Sequence, residues 1–204
     1  MDLTVEKEDA YAFLGVDVKP NDKGGYTMSQ SGLAQKIINT MNMKNCNKKA
    51  TPAGAAPLGA DEDKPWFDED WQYASVIGML LYLTANSRPD IQFTVHQCAR
   101  FTHNPRRTHG EAIKRIVRYL SMTKDKGLEF TPSDTLELDL YINADFAGLW
   151  NYEHDQDPVC VKSQTGYVIT LGGCPMTWVS KLQTEIALST LEAEYIALST
   201  ACEN

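Results

Sequence analysis

The sequence lacks the features of a membrane or secreted protein. It has no apolar run near the roughly 20 residues that a transmembrane helix needs, and its N-terminus is acidic, without the apolar stretch of a signal peptide. Its five cysteines are odd in number and widely spaced, and no two form a Cys-x-x-Cys pair. This pattern argues against a disulfide framework and a zinc site. We therefore expect a cytoplasmic protein with reduced cysteines.

Positive charge is scarce overall but locally dense. The chain carries 19 Lys and Arg against 27 Asp and Glu, a net charge of −8, which alone argues against a nucleic-acid partner. Residues 88–126, however, hold nine cations and three acids, so this segment is +6 and the remainder −14. It is either a phosphate-binding surface or a solvated face that balances the acidic residues 61–70. The candidate phosphate ligands are Arg106, Arg107, Lys114, Arg115 and Arg118.

The first half of the chain predicts a β-hairpin and then helices. Residues 11–30 have strand-like runs over 13–18 and 26–30, separated by turn formers. A helix is expected over 31–43, because its large apolar residues lie four positions apart.

An acidic segment follows the first predicted helix. Residues 50–57 are typical of a flexible connector, and 61–70 contain six acids. Closely spaced acids can bind a divalent metal, but consecutive acids on an irregular segment repel and point apart. We interpret the segment as a surface loop pinned by Trp66.

Three helices are expected between the acidic loop and residue 126. The first covers about 72–86, is apolar on most sides and is therefore expected to be central. The second is expected to begin with Ser87 as its N-cap, and the third with a Thr108/Glu111 capping box. The apolar stripe of the third is Ile113, Ile116, Val117 and Leu120.

The hydrophobic period changes from helical to strand-like after a boundary near 130–134. Residues 136–142 alternate apolar and polar side chains, and further strands are expected over 166–171 and 176–180. A helix is expected from 189 onward. The patterns together predict an α+β or α/β protein of two parts.

Both parts resemble the polyprotein of copia-type LTR retrotransposons, and the matches run in order over nearly the whole chain. Phe13-Leu14-Gly15 resembles the primer-grip turn at the end of the polymerase palm. Residues matching the reverse transcriptase beyond its active site are Tyr73, Ile77-Gly78, Leu81-Tyr82-Leu83, Arg88-Pro89-Asp90-Ile91, Pro105, His109, Glu111-Ala112, Lys114-Arg115-Ile116, Arg118-Tyr119-Leu120 and Gly127-Leu128. Residues matching the RNase H domain are Ala144-Asp145-Phe146-Ala147-Gly148, Lys162-Ser163, Thr165-Gly166-Tyr167, Trp178, Ser180-Lys181, Gln183 and Ala187-Leu188-Ser189-Thr190-Leu191-Glu192-Ala193-Glu194-Tyr195.

The resemblance implies an organisation. Residues 1–132 correspond to the C-terminal part of the reverse transcriptase, with the hairpin and the thumb and connection helices. Residues 133–204 correspond to a truncated RNase H-like domain, a mixed sheet with a helix. The family's Tyr-x-Asp-Asp motif, whose aspartates hold the polymerase metals, does not occur. We therefore expect no DNA polymerase activity.

The resemblance also implies a metal site for Mg²⁺ or Mn²⁺. RNase H uses two divalent ions held by clustered carboxylates. The family's first Asp corresponds to Asn143, which offers oxygen but no charge, and its helix carboxylate corresponds to Glu194. Asp145 shares strand parity with Asn143, and Glu192 is interpreted as a cap for the helix. A later family Asp lies beyond Asn204. We therefore expect a degenerate site that compensates two divalent ions poorly and can stay without metal, in a chain inactive by itself.

The partners implied are an RNA–DNA hybrid or primer–template, bound weakly, and the remainder of the polyprotein, in a cytoplasmic virus-like particle. Lys and Arg contacts to phosphate give sequence-independent, salt-sensitive binding. Two alternatives stay open: a non-catalytic nucleic-acid-binding or interaction module retained by a host, and an RNase H that works within a longer polyprotein.

Overall fold

The described part of the chain forms two antiparallel sheets and five α-helices. The structure, a computed structural model, describes residues 4, 5, 11–154 and 156–203; part of the N-terminal stretch in which no signal peptide was expected lies outside these residues. The first sheet has the order β1-β2-β3-β4-β5, and the second has the order β6-β7-β8. The strands are β1 Thr4–Val5, β2 Tyr11–Phe13, β3 Val16–Pro20, β4 Tyr26–Ser29, β5 Leu128–Phe130, β6 Leu138–Asp145, β7 Gln164–Leu171 and β8 Cys174–Leu182. The helices are α1 Ser31–Thr40, α2 Tyr73–Asn86, α3 Gln92–Ala99, α4 Arg107–Thr123 and α5 Thr190–Cys202.

The predicted hairpin is confirmed from Val16 onward, where β3 pairs with β4. The strand expected over 13–18 is wrong at its start. Leu14 and Gly15 form a turn with φ of 50° and 77°, and Phe13 ends β2, which pairs back on β3. The turn places a leucine in the left-handed region, which sequence patterns do not signal. Leu14 and Gly15 are therefore the turn between β2 and β3, and the primer-grip role that the resemblance implies stays a prediction.

The helical core is built as the periodicity predicts. The central position of α2 is confirmed, since Val76, Leu80 and Leu83 are buried. The apolar stripe of α4 is also confirmed: Ile113, Ile116, Val117 and Leu120 are inaccessible to solvent. These side chains form one cluster with α1 and α3.

The N-caps expected for the two helices after α2 are wrong. A 3₁₀ turn over Pro89–Ile91 precedes α3, and the Ser87 hydroxyl donates instead to Oε1 of Gln30 at 2.8 Å. Helix α4 begins before Thr108, because Arg107 N–H donates to the carbonyl of Pro65 at 2.9 Å and fixes where the chain enters the helix.

Trp66 holds the acidic loop only in part: it forms an antiparallel bridge with Arg106, but its side chain is 62% exposed. The neighbouring Phe67 supplies the aromatic contact with the core. Its ring lies edge-on to Trp71 and Tyr73, with centroid distances of 4.7 and 5.4 Å. Trp66 packs on the outside against Arg106.

The second sheet is antiparallel throughout its three described strands, where a mixed sheet was expected. A two-residue turn at Gly172 and Gly173, with φ of 57° and 78°, returns β7 directly into β8, and such a tight connection permits only antiparallel pairing. The cap expected at α5 is confirmed: the Ser189 hydroxyl accepts from Glu192 N–H, and the Glu192 carboxylate accepts from Leu188 N–H.

The second sheet packs on the helical core. Trp178 of β8 donates its indole N–H to the carbonyl of Thr84 in α2 at 2.9 Å. Arg100, after α3, forms an ion pair with the buried carboxylate of Glu153. Among the described residues, no helix is long and apolar enough to cross a membrane.

Candidate functional site

Asn143 and Asp145 lie on one face of the second sheet. Asn143 stands opposite Gly166, and Asp145 opposite Gln164; side chains two residues apart on a strand share a face. Both residues are exposed. The carboxylate of Asp145 folds over Gly148: a Cβ at position 148 would lie 2.0 Å from its Oδ2. Glycine at 148 is therefore what leaves room for this carboxylate.

Glu194 lies on α5, which packs against the other face of the sheet. The amide of Gln183 donates both to Oγ1 of Thr165 and to the carbonyl of Ala193, joining the start of α5 to that face. Thr165 pairs with Ala144, whose side chain points away from the face of its two neighbours. The structure thus brings Asn143 and Asp145 together and leaves Glu194, exposed, on the helix that covers the opposite face.

This donor set does not fit a two-metal centre. One carboxylate and one neutral amide share a face, and two dications need more negative charge than they supply. Within the residues that the structure describes, no three or more His, Cys, Asp or Glu side chains are grouped so as to hold a metal ion.

The five predicted phosphate ligands have different environments. Arg106 is buried, with its guanidinium carbon 3.6 Å from the ring centroid of Trp66. The ammonium of Lys114 forms ion pairs with Glu69 at 2.6 Å and with Glu111 at 3.1 Å. The guanidinium of Arg106 is therefore occupied by packing, and the charge of Lys114 is balanced by carboxylates.

Of the other three, Arg107 is exposed, whereas Arg115 and Arg118 are half-buried. Arg115 donates to the hydroxyl of Thr51 at 2.8 Å. Arg107 is exposed at the start of α4. Arg118 lines a polar groove together with Lys44, a residue that charge counting over 88–126 missed. A basic loop before the acidic segment was the available signal for Lys44.

The sequence also gave no role to His109, which joins two segments of the core. It is fully buried and stacks on Phe101, with ring centroids 3.9 Å apart. Its Nδ1 accepts from Arg106 N–H at 2.9 Å, and its Nε2 lies 2.8 Å from the carbonyl of Gly59. These partners require a neutral ring protonated at Nε2. Burial, the largest cause, holds the pKa of His109 below its ordinary value, although the Gly59 carbonyl and Asp61 act in the opposite direction.

We expect the free energy of unfolding to fall as the pH is lowered from about 7.5 to about 5.5. In the unfolded chain, residue 109 takes up a proton at the ordinary histidine pKa of about 6.5, whereas in the folded chain the pKa of His109 is lower. Protonation therefore favours the unfolded chain over this pH range. Replacing His109 by Gln should cost about 1–3 kcal/mol at the higher pH and make the pH dependence shallower. Urea denaturation at several pH values measures both effects. Replacement of the exposed His103 by Gln is the control and should keep the wild-type dependence. An unchanged pH slope in His109→Gln would contradict the assignment.

No family model and no solved structure matches the chain. Curated proteins do. The retrovirus-related Pol polyprotein from transposon RE2 of Arabidopsis thaliana is 33% identical over 190 residues, which is 93% of this chain and 12% of that protein. The corresponding polyprotein from transposon TNT 1-94 of Nicotiana tabacum is 39% identical over 176 residues, 83% of this chain and 13% of that protein. The secreted RxLR effector protein 161 of Plasmopara viticola is 40% identical over 131 residues, 64% of this chain and 87% of that protein.

The similarity to transposon Pol polyproteins extends over most of the chain in two plant species, whereas the chain spans only 12–13% of the length of those relatives. It agrees with the ordered residue matches in both halves of the sequence. The chain therefore belongs to the family of copia-type retrotransposon Pol polyproteins.

Proposed function

We propose that this chain is the segment of Pol that follows the polymerase active site, and that it holds RNA–DNA duplex without cutting it. One observation carries the proposal. Helix α4 buries its apolar stripe completely and carries the exposed Arg107 and the half-buried Arg118, while the second sheet has Asn143 at the position where the resemblance implies an acid. The surface can attract phosphate, and the sheet lacks the charge for two-metal cleavage.

The proposed division at residue 132 agrees with the strand topology. Strand β5, ending at Phe130, completes the first sheet by pairing with β4, and the next strand, β6, begins the second sheet at Leu138. On this proposal the first unit is the C-terminal part of a reverse transcriptase, and the second is a partial RNase H-like domain.

The second unit exposes surface that supports a further partner, the rest of the polyprotein. Among the described strands, β6 pairs only with β7, so one edge of it is open. Leu138 on that strand is 72% exposed, and Leu191 and Tyr195 on α5 are 65% and 64% exposed. Open strand edges beside apolar side chains invite pairing with another segment. A following part of Pol is the occupant we propose.

A second candidate is a non-catalytic interaction module retained by a host. The observation that favours it is the Plasmopara match, since the chain covers 87% of that relative, which its name describes as a secreted effector rather than a polyprotein. Flanking genomic sequence separates the two candidates. An upstream Tyr-x-Asp-Asp frame with terminal repeats supports the Pol segment, and an intact host gene without them supports the module.

Duplex binding tests the proposed function. We expect the chain to bind an RNA–DNA hybrid with a Kd of roughly 10–100 μM near physiological salt and more tightly at lower salt, because the contacts release condensed counterions. Fluorescence anisotropy across a salt series measures the affinity and its slope.

A duplex of the same sequence with an uncharged peptide backbone is the control for this measurement. It should not bind, because it carries no phosphates. Failure to bind the hybrid even at low salt, or equal binding to the uncharged duplex, would contradict the proposed function.

A further inference from the structure

A groove of about 550 Å³ runs between α4 and the loop that follows α1. It is lined by residues 42–46 on one side and by Lys114 and Arg118 on the other. Its lining contains three cations, two side-chain amides, Met43 and Cys46, and no acid. The groove is thus the place where cations of two distant segments meet.

The loop that forms one wall is tied to α4. Asn42, with φ of 53°, reverses the chain after α1, and Met43 N–H donates back to the carbonyl of Ile38 at 3.0 Å. The thiol of Cys46 lies 3.5 Å from the hydroxyl of Ser121. Lys49 N–H donates to the carbonyl of Arg118 at 3.4 Å. These contacts fix the start of the loop to α1 and its end to α4, so the wall that the loop forms has a defined position.

The open charge of the groove comes from Lys44 and Arg118. Lys114 contributes little net charge, because Glu69 and Glu111 pair with its ammonium. Lys44 is exposed, and two further exposed lysines, Lys48 and Lys49, extend the same loop, which carries no acid over 42–49. An open groove with spaced cations suits an extended polyanion better than a compact apolar ligand.

We propose that this groove binds consecutive phosphates of a nucleic-acid backbone, with Lys44 and Arg118 as the charged ligands and the amides of Asn42 and Asn45 as additional donors. The proposal rests on the proposed function. It assigns the main phosphate contacts to Lys44 and Arg118 rather than to Arg106, Lys114 and Arg115, which the sequence had also indicated. Such contacts fix the position of a duplex and carry no sequence information.

The test compares two double variants of equal charge. Lys44→Ala with Arg118→Ala removes the groove cations, and Lys19→Ala with Lys23→Ala removes two exposed cations of the first hairpin. We expect the groove variant to weaken binding of an RNA–DNA hybrid at least about tenfold at low salt and to flatten the log–log salt slope by about 1.8, or roughly 0.9 per lost contact. The control variant should change affinity less than about twofold. Urea midpoints equal to wild type show that both variants fold.

The outcomes separate this proposal from the proposed function. If the wild type binds the hybrid and both double variants lose the same amount of affinity, the groove is not the phosphate-binding site. The proposed duplex binding by the chain would not be contradicted by that result. Absence of binding by the wild type would overturn both. Lys44→Arg, which keeps the charge, should retain most of the affinity, and a loss as large as that of Lys44→Ala would also count against phosphate contact.

Discussion

The purified chain should leave the RNA strand of an RNA–DNA hybrid uncut in Mg²⁺ or Mn²⁺, and replacing Asn143 by Asp should not be enough to produce cleavage. Two-metal hydrolysis needs several carboxylates around the ions, to activate water and to stabilise the leaving oxygen. Asn143 supplies no charge, and the carboxylate of Asp145 is folded over Gly148. Glu194 on α5 is one further carboxylate, which is too little charge for two divalent ions.

Four proteins test this expectation: the chain, Asn143→Asp, a fusion to the segment that carries the later Asp in a related element, and the fusion with Asn143→Asp. We expect cleavage only in the last, at least about 100-fold above the others, because each single repair leaves the site short of charge. Glu194→Gln should abolish that activity. Glu192→Gln is the matched control, since the Glu192 carboxylate caps α5.

Cleavage by the unmodified chain would contradict the proposed lack of nuclease activity. It would mean that Asp145 replaces the missing first acid, and Asp145→Asn should then remove the activity. Cleavage after Asn143→Asp alone would show instead that a third acid is not required.

The periodic spacing of apolar residues predicted the parts of the fold in which a helix buries one of its faces in the core. The stripe of α4 and the centre of α2 are examples, because the spacing of apolar residues fixes which side of a helix can face a core. The Ser189–Glu192 cap was also predictable, since its donors and acceptors lie within four residues. The starts of α3 and α4 were not, because contacts with Gln30 and Pro65, distant in sequence, set the local structure there.

The candidate site was harder to predict because equal charges have unequal environments. Counting cations treated Arg106, Lys114 and Arg118 alike, yet their environments differ. Arg106 is buried against an aromatic ring, Lys114 is paired with two acids, and Arg118 is half-buried and lines a groove. Only the tertiary structure brings Lys44 to Arg118. The resemblance could identify Asn143 as the position of an acid, but it did not indicate which face of the sheet α5 would cover.

Replacing Asp90 by Ala should lower the free energy of unfolding by about 2–3 kcal/mol. This loss is smaller than the largest losses measured when one partner of a buried ion pair is removed, because the Asp90 side chain is 38% exposed. Arg88 is 3% exposed and donates to both carboxylate oxygens of Asp90, at 2.8 and 2.7 Å. It also donates to the carbonyl and hydroxyl of Thr123, and Tyr119 donates to Asp90 at 2.7 Å. Removing the carboxylate leaves a buried guanidinium without its counter-ion, and urea denaturation measures the loss.

The pH dependence distinguishes lost charge from lost packing. Burial raises the pKa of Asp90, but hydrogen bonds from Arg88 and Tyr119 outweigh it and hold that pKa below its ordinary value. The stabilisation is therefore complete above the unfolded pKa of about 3.9 and is lost as the pH falls through the folded pKa. The difference between wild type and Asp90→Ala should shrink on acidification. Glu129→Ala, which breaks the exposed pair with Lys23, is the matched control and should cost much less, because solvent screens that pair. A loss for Asp90→Ala as small as that of the control would show that Arg88 is satisfied by Thr123 alone.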